Sequence, residues 1–374
     1  MADAVYGIRD LRENESVARG ISTRLPSAAA GIGEQWDIGS GKVLNGTSGN
    51  LIVSEESGFG LVLQGKGTRD GEIAVVARGT VTKADWMSNL NISPARGPAG
   101  TTVHSGFAGI YNILVDQIAA LLPPKGRVHL VGHSLGGALA NLLAAKLSMN
   151  PAYQVGLYTF GAPRVAPQEF CTTLERRLGV DGIHRVYDVA DPVPMIPIFP
   201  YLHSPLSCDG IRVGASAGMI SVSKHDIKGN YTRLVRGKEW NALARASTEI
   251  RNFRKIDELL DIAGIHVRIP GGSMGLWALN KALQAIIDVS FLVLGAAVAL
   301  GETVLDKLAA MLMRAGALVK ELGQQIMRFM EMVFKWTGRA IGSAVDLTAT
   351  FLRYAIELLL KPIHVMARLA IDNL

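Results

Sequence analysis

The sequence predicts an α/β fold, a mostly parallel sheet with helices on both faces, followed by an all-helical C-terminal region. Three observations predict it. Strands at 73–77, a continuous apolar run as in a sheet covered on both faces, and at 128–131, 155–160 and 183–189 alternate with segments of helical period. The run at 128–131 turns through Gly132-His133-Ser134-Leu135-Gly136 straight into an Ala/Leu-rich helix. Beyond Pro270-Gly-Gly-Ser273 no strand pattern recurs.

The elements follow in order. Residues 1–56 are mixed: 9–19 reads as a helix, and 28–50, rich in Gly and Ser, as loop. Residues 58–64 alternate as a strand, a turn-rich stretch follows, and 73–77 is a buried strand ending in Arg78-Gly79-Thr80. In 81–94, Trp86, Met87, Leu90 and Ile92 form an apolar face among polar neighbours. A helix opens at His104 and stops before Pro123-Pro124. The strand at 127–131 leads into a helix reaching Met149, with Leu139, Leu142, Leu143 and Leu147 at helical spacing. A strand at 155–160, a helix at 169–178, a strand at 183–189 and a proline-rich loop at 191–200 come next. Strand signals at 210–223 are weak, a helix is expected after His225-Asp226, and 239–263 is helical. The boundaries drawn are 1–238 for the α/β domain, 239–270 for a connecting helix and linker, and 271–374 for the helical region.

Composition narrows the function. The chain has 374 residues, 49% hydrophobic and 19% charged, with a net charge of +6. No basic patch interleaved with aromatics occurs, which argues against nucleic acid. Attraction to an anionic membrane surface is compatible with the charge. Cys171 and Cys208 fit neither a disulfide framework nor metal-ligand spacing, so both are expected as free thiols. The early acidic residues and absence of an apolar run read as no secretory leader, implying synthesis in the cytoplasm.

Gly132-His133-Ser134-Leu135-Gly136 fits G-x-S-x-G, the nucleophile elbow of the α/β-hydrolases. A serine at a sharp strand-to-helix bend is crowded by the residues two before and two after it, so both must be glycine. The following helix turns its N-terminal N–H groups toward the reacting centre, and the Leu135 N–H is one expected oxyanion donor. A serine hydroxyl needs a base, a group that orients the base and donors for the oxyanion. No metal or cofactor is required. The order in this fold is Ser, acid, His. Asp191 lies just past a strand end and is stiffened by Pro192 and Pro194; Asp188, inside the strand, is the weaker candidate. His203 and His225 both follow the acid. Spacing favours His225, which leaves enough chain to return over the sheet.

These motifs resemble the class 3 lipases, the α/β-hydrolases that include fungal triacylglycerol lipases. The resemblance is carried by His104-Ser-Gly-Phe107, Val131-Gly-His-Ser-Leu-Gly-Gly137, Thr159-Phe-Gly-Ala-Pro-Arg-Val165, Asp191-Pro-Val-Pro194 and Arg78-Gly79-Thr80. It covers about 57–235. It implies a Ser134–His225–Asp191 triad, with His203 not the base, and an oxyanion hole from Thr80 and Leu135. It also implies a lid at 81–92 carrying Trp86, Met87 and Leu90, against which stands a plain surface helix. Arg78 and Arg164 are expected to be structural. The chain lacks the leaders and disulfides of the fungal members.

The helical region lies outside the resemblance. It could be a cap on the hydrolase, a membrane-associating module or an oligomerisation surface. The uncharged run 289–301 spans about 20 Å as helix, short of the roughly 30 Å of a bilayer core. Extending it to 282 includes Asp288, which costs about 2.5–3.5 kcal/mol at mid-membrane. Lys307, Arg314, Glu321, Arg328 and Lys335 fall seven apart and read as one polar stripe on a single helix over 303–337. Pro362 is expected to interrupt the last helix. The function expected is hydrolysis of lipid carboxylic esters, as a lipase or phospholipase A, on a membrane surface. Together the features suggest a bacterial effector exported by a specialised secretion system and opposed by a cognate immunity or chaperone protein. The rival reading is a membrane-perturbing helical protein with the hydrolase core as scaffold.

Overall fold

The computed structural model describes residues 1–8, 17, 21, 32–48, 55–79, 94–197, 200–214, 218–247, 256–267, 272–294, 304–339 and 347–374. Nine strands fall in these segments: β1 Trp36–Ser48, β2 Glu55–Gly65, β3 Ile73–Ala77, β4 Pro94–Arg96, β5 Thr102–His104, β6 Gly126–His133, β7 Tyr153–Phe160, β8 Ile183–Asp188 and β9 Ile211–Val213. Seven form one sheet in the order β1-β2-β3-β6-β7-β8-β9, and β4 and β5 pair separately. From β3 to β9 every pairing is parallel, with Val75 opposite Leu130 and Leu130 opposite Leu157. The run Ile73–Ala77 is buried at every position, as a parallel strand covered on both faces should be.

Helices α1 (Ser105–Leu121), α2 (Leu135–Leu147) and α3 (Gln168–Leu178) share a core with one face of the sheet, in which Phe107, Leu139, Leu142 and Phe170 pack on Val75, Val128 and Leu157. Val5, Ile21, Trp36, Ile227, Tyr231 and Leu243, the last from α4 (Trp240–Ala246), cover the other face. The chain is therefore an α/β-hydrolase with helices on both sides of its sheet.

Residues 36–48 correct the expectation of a loop. They form β1, antiparallel to β2, with register shifts between Asp37 and Lys42 and between Leu44 and Asn45. Around the first shift Asp37 Oδ1 accepts the Gly39 N–H at 3.0 Å, a local turn inside the strand. Edge pairing holds this strand together with the burial of Trp36, Ile38 and Leu44.

The helical region consists of α5 (Ile256–His266), α6 (Ser273–Leu294), α7 (Val304–Leu318), α8 (Lys320–Trp336) and α9 (Ala349–Asp372). Their shared core begins at Ile256, ahead of the boundary expected at 271, and takes in Tyr187, Val189, Val193, Met195 and Ile196 of the α/β domain. By length and composition α6 could cross a membrane, but here Leu276, Leu279, Leu283, Ile286 and Ile287 are buried in that core. The single helix expected over 303–337 is two. Val319 is extended at φ −122° and ψ 106°, and α7 meets α8 so closely that a Cβ on Gly323 would lie 2.7 Å from the Gly316 carbonyl oxygen. The polar stripe is thus divided; its member Arg328 pairs with Asp257 at 3.4 Å and with Asp261, both on α5. Pro362 lies inside α9 without ending it. An interior proline costs about 3 kcal/mol, offset by a helix face that buries Leu352, Ile356, Leu359, Leu360, Ile363 and Ala367.

His104 begins α1, its Nδ1 accepting the Gly106 N–H at 3.1 Å. Burial pushes its pKa down to about 4 from 6.5. The folded value lies below the unfolded one, so protonation favours the unfolded chain. The stability tied to this group is full above pH 6.5 and is lost as pH falls from 6.5 through 4. The loss is about 3 kcal/mol at most. His104→Asn, which keeps a capping acceptor, is expected to flatten the fall of the urea midpoint between neutral and acid pH; equal slopes in both proteins would refute this.

Candidate active site

The site forms where β6, β8 and the segment around His225 meet. Ser134 follows β6 with φ +56° and ψ −131°, a conformation rare for a residue with a side chain. Neighbouring backbone holds it there. A Cβ on Gly132 would lie 2.1 Å from the Gly136 oxygen, and one on Gly136 would lie 2.2 Å from the Ala77 oxygen. Gly137 N–H donates to the Ser134 carbonyl at 2.9 Å, starting α2. Leu135 is the first residue of α2, so its N–H stands at the positive end of the helix dipole.

His225 Nε2 lies 2.8 Å from Ser134 Oγ, and Nδ1 lies 2.8 Å from Asp191 Oδ2. A carboxylate only accepts, so Nδ1 carries the proton and Nε2 is left to accept the serine hydroxyl. Asp191 sits in the loop after β8, its Oδ1 accepting the Val193 N–H at 2.9 Å. All three residues are buried. Asp188 is turned elsewhere: its carboxylate accepts Ala190 N–H at 2.9 Å and Asn230 Nδ2 at 3.1 Å, and burial raises its pKa. His203 Nε2 lies 2.7 Å from the Pro194 carbonyl, and burial with nearby Arg185 and Arg164 holds it neutral. Arg164 is buried and structural, donating to Met195 O at 2.7 Å, to Pro197 O at 3.2 Å and to Asn280 of α6. Arg78 Nη1 donates to Gly79 O at 3.0 Å. Thr80, Trp86, Met87 and Leu90 lie outside the described residues.

Two tyrosines complete the site, and sequence reasoning missed both roles. Tyr231 follows His225 on a π-helical turn, Ile227–Thr232, whose wider pitch is common at functional sites. Its hydroxyl donates to Asp191 Oδ2 at 2.6 Å and accepts the Asp188 N–H at 3.2 Å. Burial and the two aspartates raise the Tyr231 pKa, keeping it a donor. Tyr6 arrives from the N-terminal segment. His133 Nε2 lies 2.8 Å from the His225 carbonyl, which can only accept, and burial keeps His133 neutral. His133 Nδ1 is therefore the acceptor for the Tyr6 hydroxyl at 2.6 Å, and Tyr6 in turn accepts the Gly79 N–H at 3.1 Å. This chain ties the loop after β3, the elbow and the His225 segment together. No local pattern marks Tyr6; its partner is 127 residues away.

The strained serine, its paired histidine and the buried carboxylate define a site of the serine-hydrolase type on an α/β-hydrolase fold. Within that class, residues 74–201 match the family model of class 3 lipases. The chain is 31% identical over 163 residues to a secreted mono- and diacylglycerol lipase of Fusarium solani, covering 41% of this chain and 48% of that protein. It is 30% identical over 261 residues to a phospholipase A1 of Oryza sativa subsp. indica, covering 56% and 57%. Among solved structures, the Rhizomucor miehei triacylglyceride lipase matches at 27% identity and a TM-score of 0.35, covering 47% of this chain and 66% of that one. The chain spans about half the length of these two curated relatives.

Tyr231→Phe leaves the Asp188 N–H and one Asp191 lone pair buried without this partner. The expected cost is about 1–3 kcal/mol of stability, read from urea unfolding; an unchanged midpoint would remove Tyr231 from the network.

Proposed function

We propose that the chain hydrolyses carboxylic esters of lipids through an acyl-Ser134 intermediate. The observation that carries the reading is the hydrogen-bonded series Ser134 Oγ, His225 and Asp191, with both bonds at 2.8 Å, on a strained elbow. The lipid class is supported by the names of the relatives, a mono- and diacylglycerol lipase and a phospholipase A1.

In this mechanism His225 Nε2 takes the Ser134 proton as Oγ attacks the ester carbonyl carbon. The carbonyl oxygen becomes an oxyanion facing the start of α2, where the Leu135 N–H donates to it. Thr80 is the second donor in this reading. The tetrahedral species collapses, the C–O bond to the alcohol breaks, and the His225 proton goes to the leaving oxygen. Water, deprotonated by His225, then attacks the acyl-serine, and the fatty acid leaves as Oγ regains its proton. Asp191 holds the Nδ1–H tautomer throughout and stabilises the imidazolium. Tyr231 fixes the carboxylate that does so. In this reading Trp86, Met87 and Leu90 belong to a lid facing the lipid.

The finer proposal is a membrane-targeting effector, met in its target by an immunity or chaperone protein over the site mouth. It is supported by the apolar helical region beside a lipase site. Export by a specialised secretion system belongs to the same proposal.

The test is product analysis on triacylglycerol and on phospholipids whose two acyl chains differ. Ser134→Ala is expected to lower turnover by at least about 10³-fold, and Asp191→Asn by up to about 10⁴-fold, with folding intact. Release of fatty acid by Ser134→Ala at the parent rate would sink the mechanism. Vesicle lysis that survives Ser134→Ala without ester cleavage would favour the membrane-perturbing scaffold instead.

A further inference from the structure

Ser134 and His225 are both 0% exposed. The end of α9 lies against them. Ala370, Asn373 and Leu374 share a cleft with Ser221, Lys224 and Asp226, the segment that carries His225. Leu374 Cδ1 stands 3.0 Å from the point where a Cβ on Gly79 would sit, and Ser134 Cβ stands 3.0 Å from the same point. The Leu374 side chain and Ser134 Cβ thus border the same space at Gly79. Leu374 N–H donates to Ile371 O at 3.1 Å, so this side chain is carried by the helix end. Upstream, α9 shares a core with Val193 and Met195, just past Asp191.

The opposite face of α9 is uncovered. Val365 and Leu369, one helical turn apart, are 53% and 46% exposed. Lys361 and Arg368 are exposed beside them, Arg368 pairing at 3.9 Å with the exposed Asp372 one turn on. Apolar side chains flanked by cations match an anionic lipid interface in both chemistry and charge.

We propose that α9 is an autoinhibitory strap. In water Leu374 fills the space beside Ser134; on an anionic lipid surface Lys361, Val365, Arg368 and Leu369 dock and draw the helix end away. This rests on the hydrolase reading of Ser134. Leu374 is partly buried, so its side chain favours the closed state by no more than the roughly tenfold to hundredfold of a fully buried leucine, small enough for a surface to reverse.

The test uses the full chain with two readouts. One is labelling of Ser134 by a water-soluble fluorophosphonate, in which Oγ displaces fluoride from phosphorus and His225 takes the proton. The other is alkylation of Ser134→Cys by iodoacetamide, which needs access but no catalysis. In buffer, Leu374→Ala is expected to raise both rates about tenfold. Phosphatidylcholine–phosphatidylglycerol vesicles should raise the parent rates comparably, and phosphatidylcholine alone much less. Lys361→Glu with Arg368→Glu should reduce that vesicle response. The buried thiol of Cys171 is the control: if it is alkylated faster in step, the change is general loosening and the strap is refuted. Equal, ready fluorophosphonate labelling with and without Leu374→Ala keeps the hydrolase reading and overturns the strap. Faster alkylation of Ser134→Cys on Leu374→Ala, with no fluorophosphonate labelling in either background, keeps the strap and overturns the hydrolase reading.

Discussion

The structure depends most on a close approach of three backbones. β6 and α2 meet at Ser134, and the end of β3 runs beneath them. Any side chain at Gly132 would strike the Gly136 carbonyl, and any at Gly136 would strike that of Ala77. That crowding forces Ser134 into positive φ, which lifts its Oγ out of the sheet edge and starts α2 at the reacting centre. Such strain persists only where surrounding structure over-determines it. Here parallel pairing on both sides of β6 and the buried face of α2 supply that constraint.

Once the serine is held, the rest of the site is a matter of satisfying buried polar groups. Asp191, His225, Tyr231 and His133 are buried and Tyr6 is partly so, and each buried group left unpaired would cost about 1–3 kcal/mol. They pair in two series that meet at His225. One runs from Asp188 N–H through Tyr231 to Asp191 and the His225 ring. The other runs from Gly79 N–H through Tyr6 and His133 to the His225 backbone. The first fixes the tautomer of the base; the second fixes the backbone that carries it. Position and protonation are thus set by different neighbours, and a change to one need not disturb the other.

Strand β3 was legible because burial on both faces makes it uniformly apolar, its parallel neighbours by their alternation with helical segments, and Ser134, Asp191 and His225 stood out by order and spacing. What was illegible depends on partners distant in sequence. β1 looks like a loop because Gly39, Ser40 and Gly41 sit at a register shift on an edge, where pairing to β2 replaces pattern. The repeat of seven from Lys307 to Lys335 passes unbroken through Val319, since only the packing of Gly316 against Gly323 folds α7 back on α8. Pro362 predicts a break that tertiary burial of α9 overrides. Tyr6 and Tyr231 carry no signal at all, because a tyrosine hydroxyl is informative only once its acceptor is known.

The helical region shows a deeper ambiguity. A helix that is apolar on most faces has the same sequence whether it meets lipid or other helices, because both are non-aqueous. The sequence of α6 suits either, and here it is enclosed by α5, α7 and α8. The resulting core does not stop at the α/β domain. Val193 and Met195, which follow Asp191 directly, are part of it, and Arg164 bonds both to the backbone of that loop and to Asn280 of α6. Packing in the helices and placement of the Asp191 carboxylate are therefore coupled by direct contact. A displacement of the helices acts on the Asp191 loop without passing through the sheet. The two regions, distinct in sequence character, form one mechanical unit at the point where the chemistry is held.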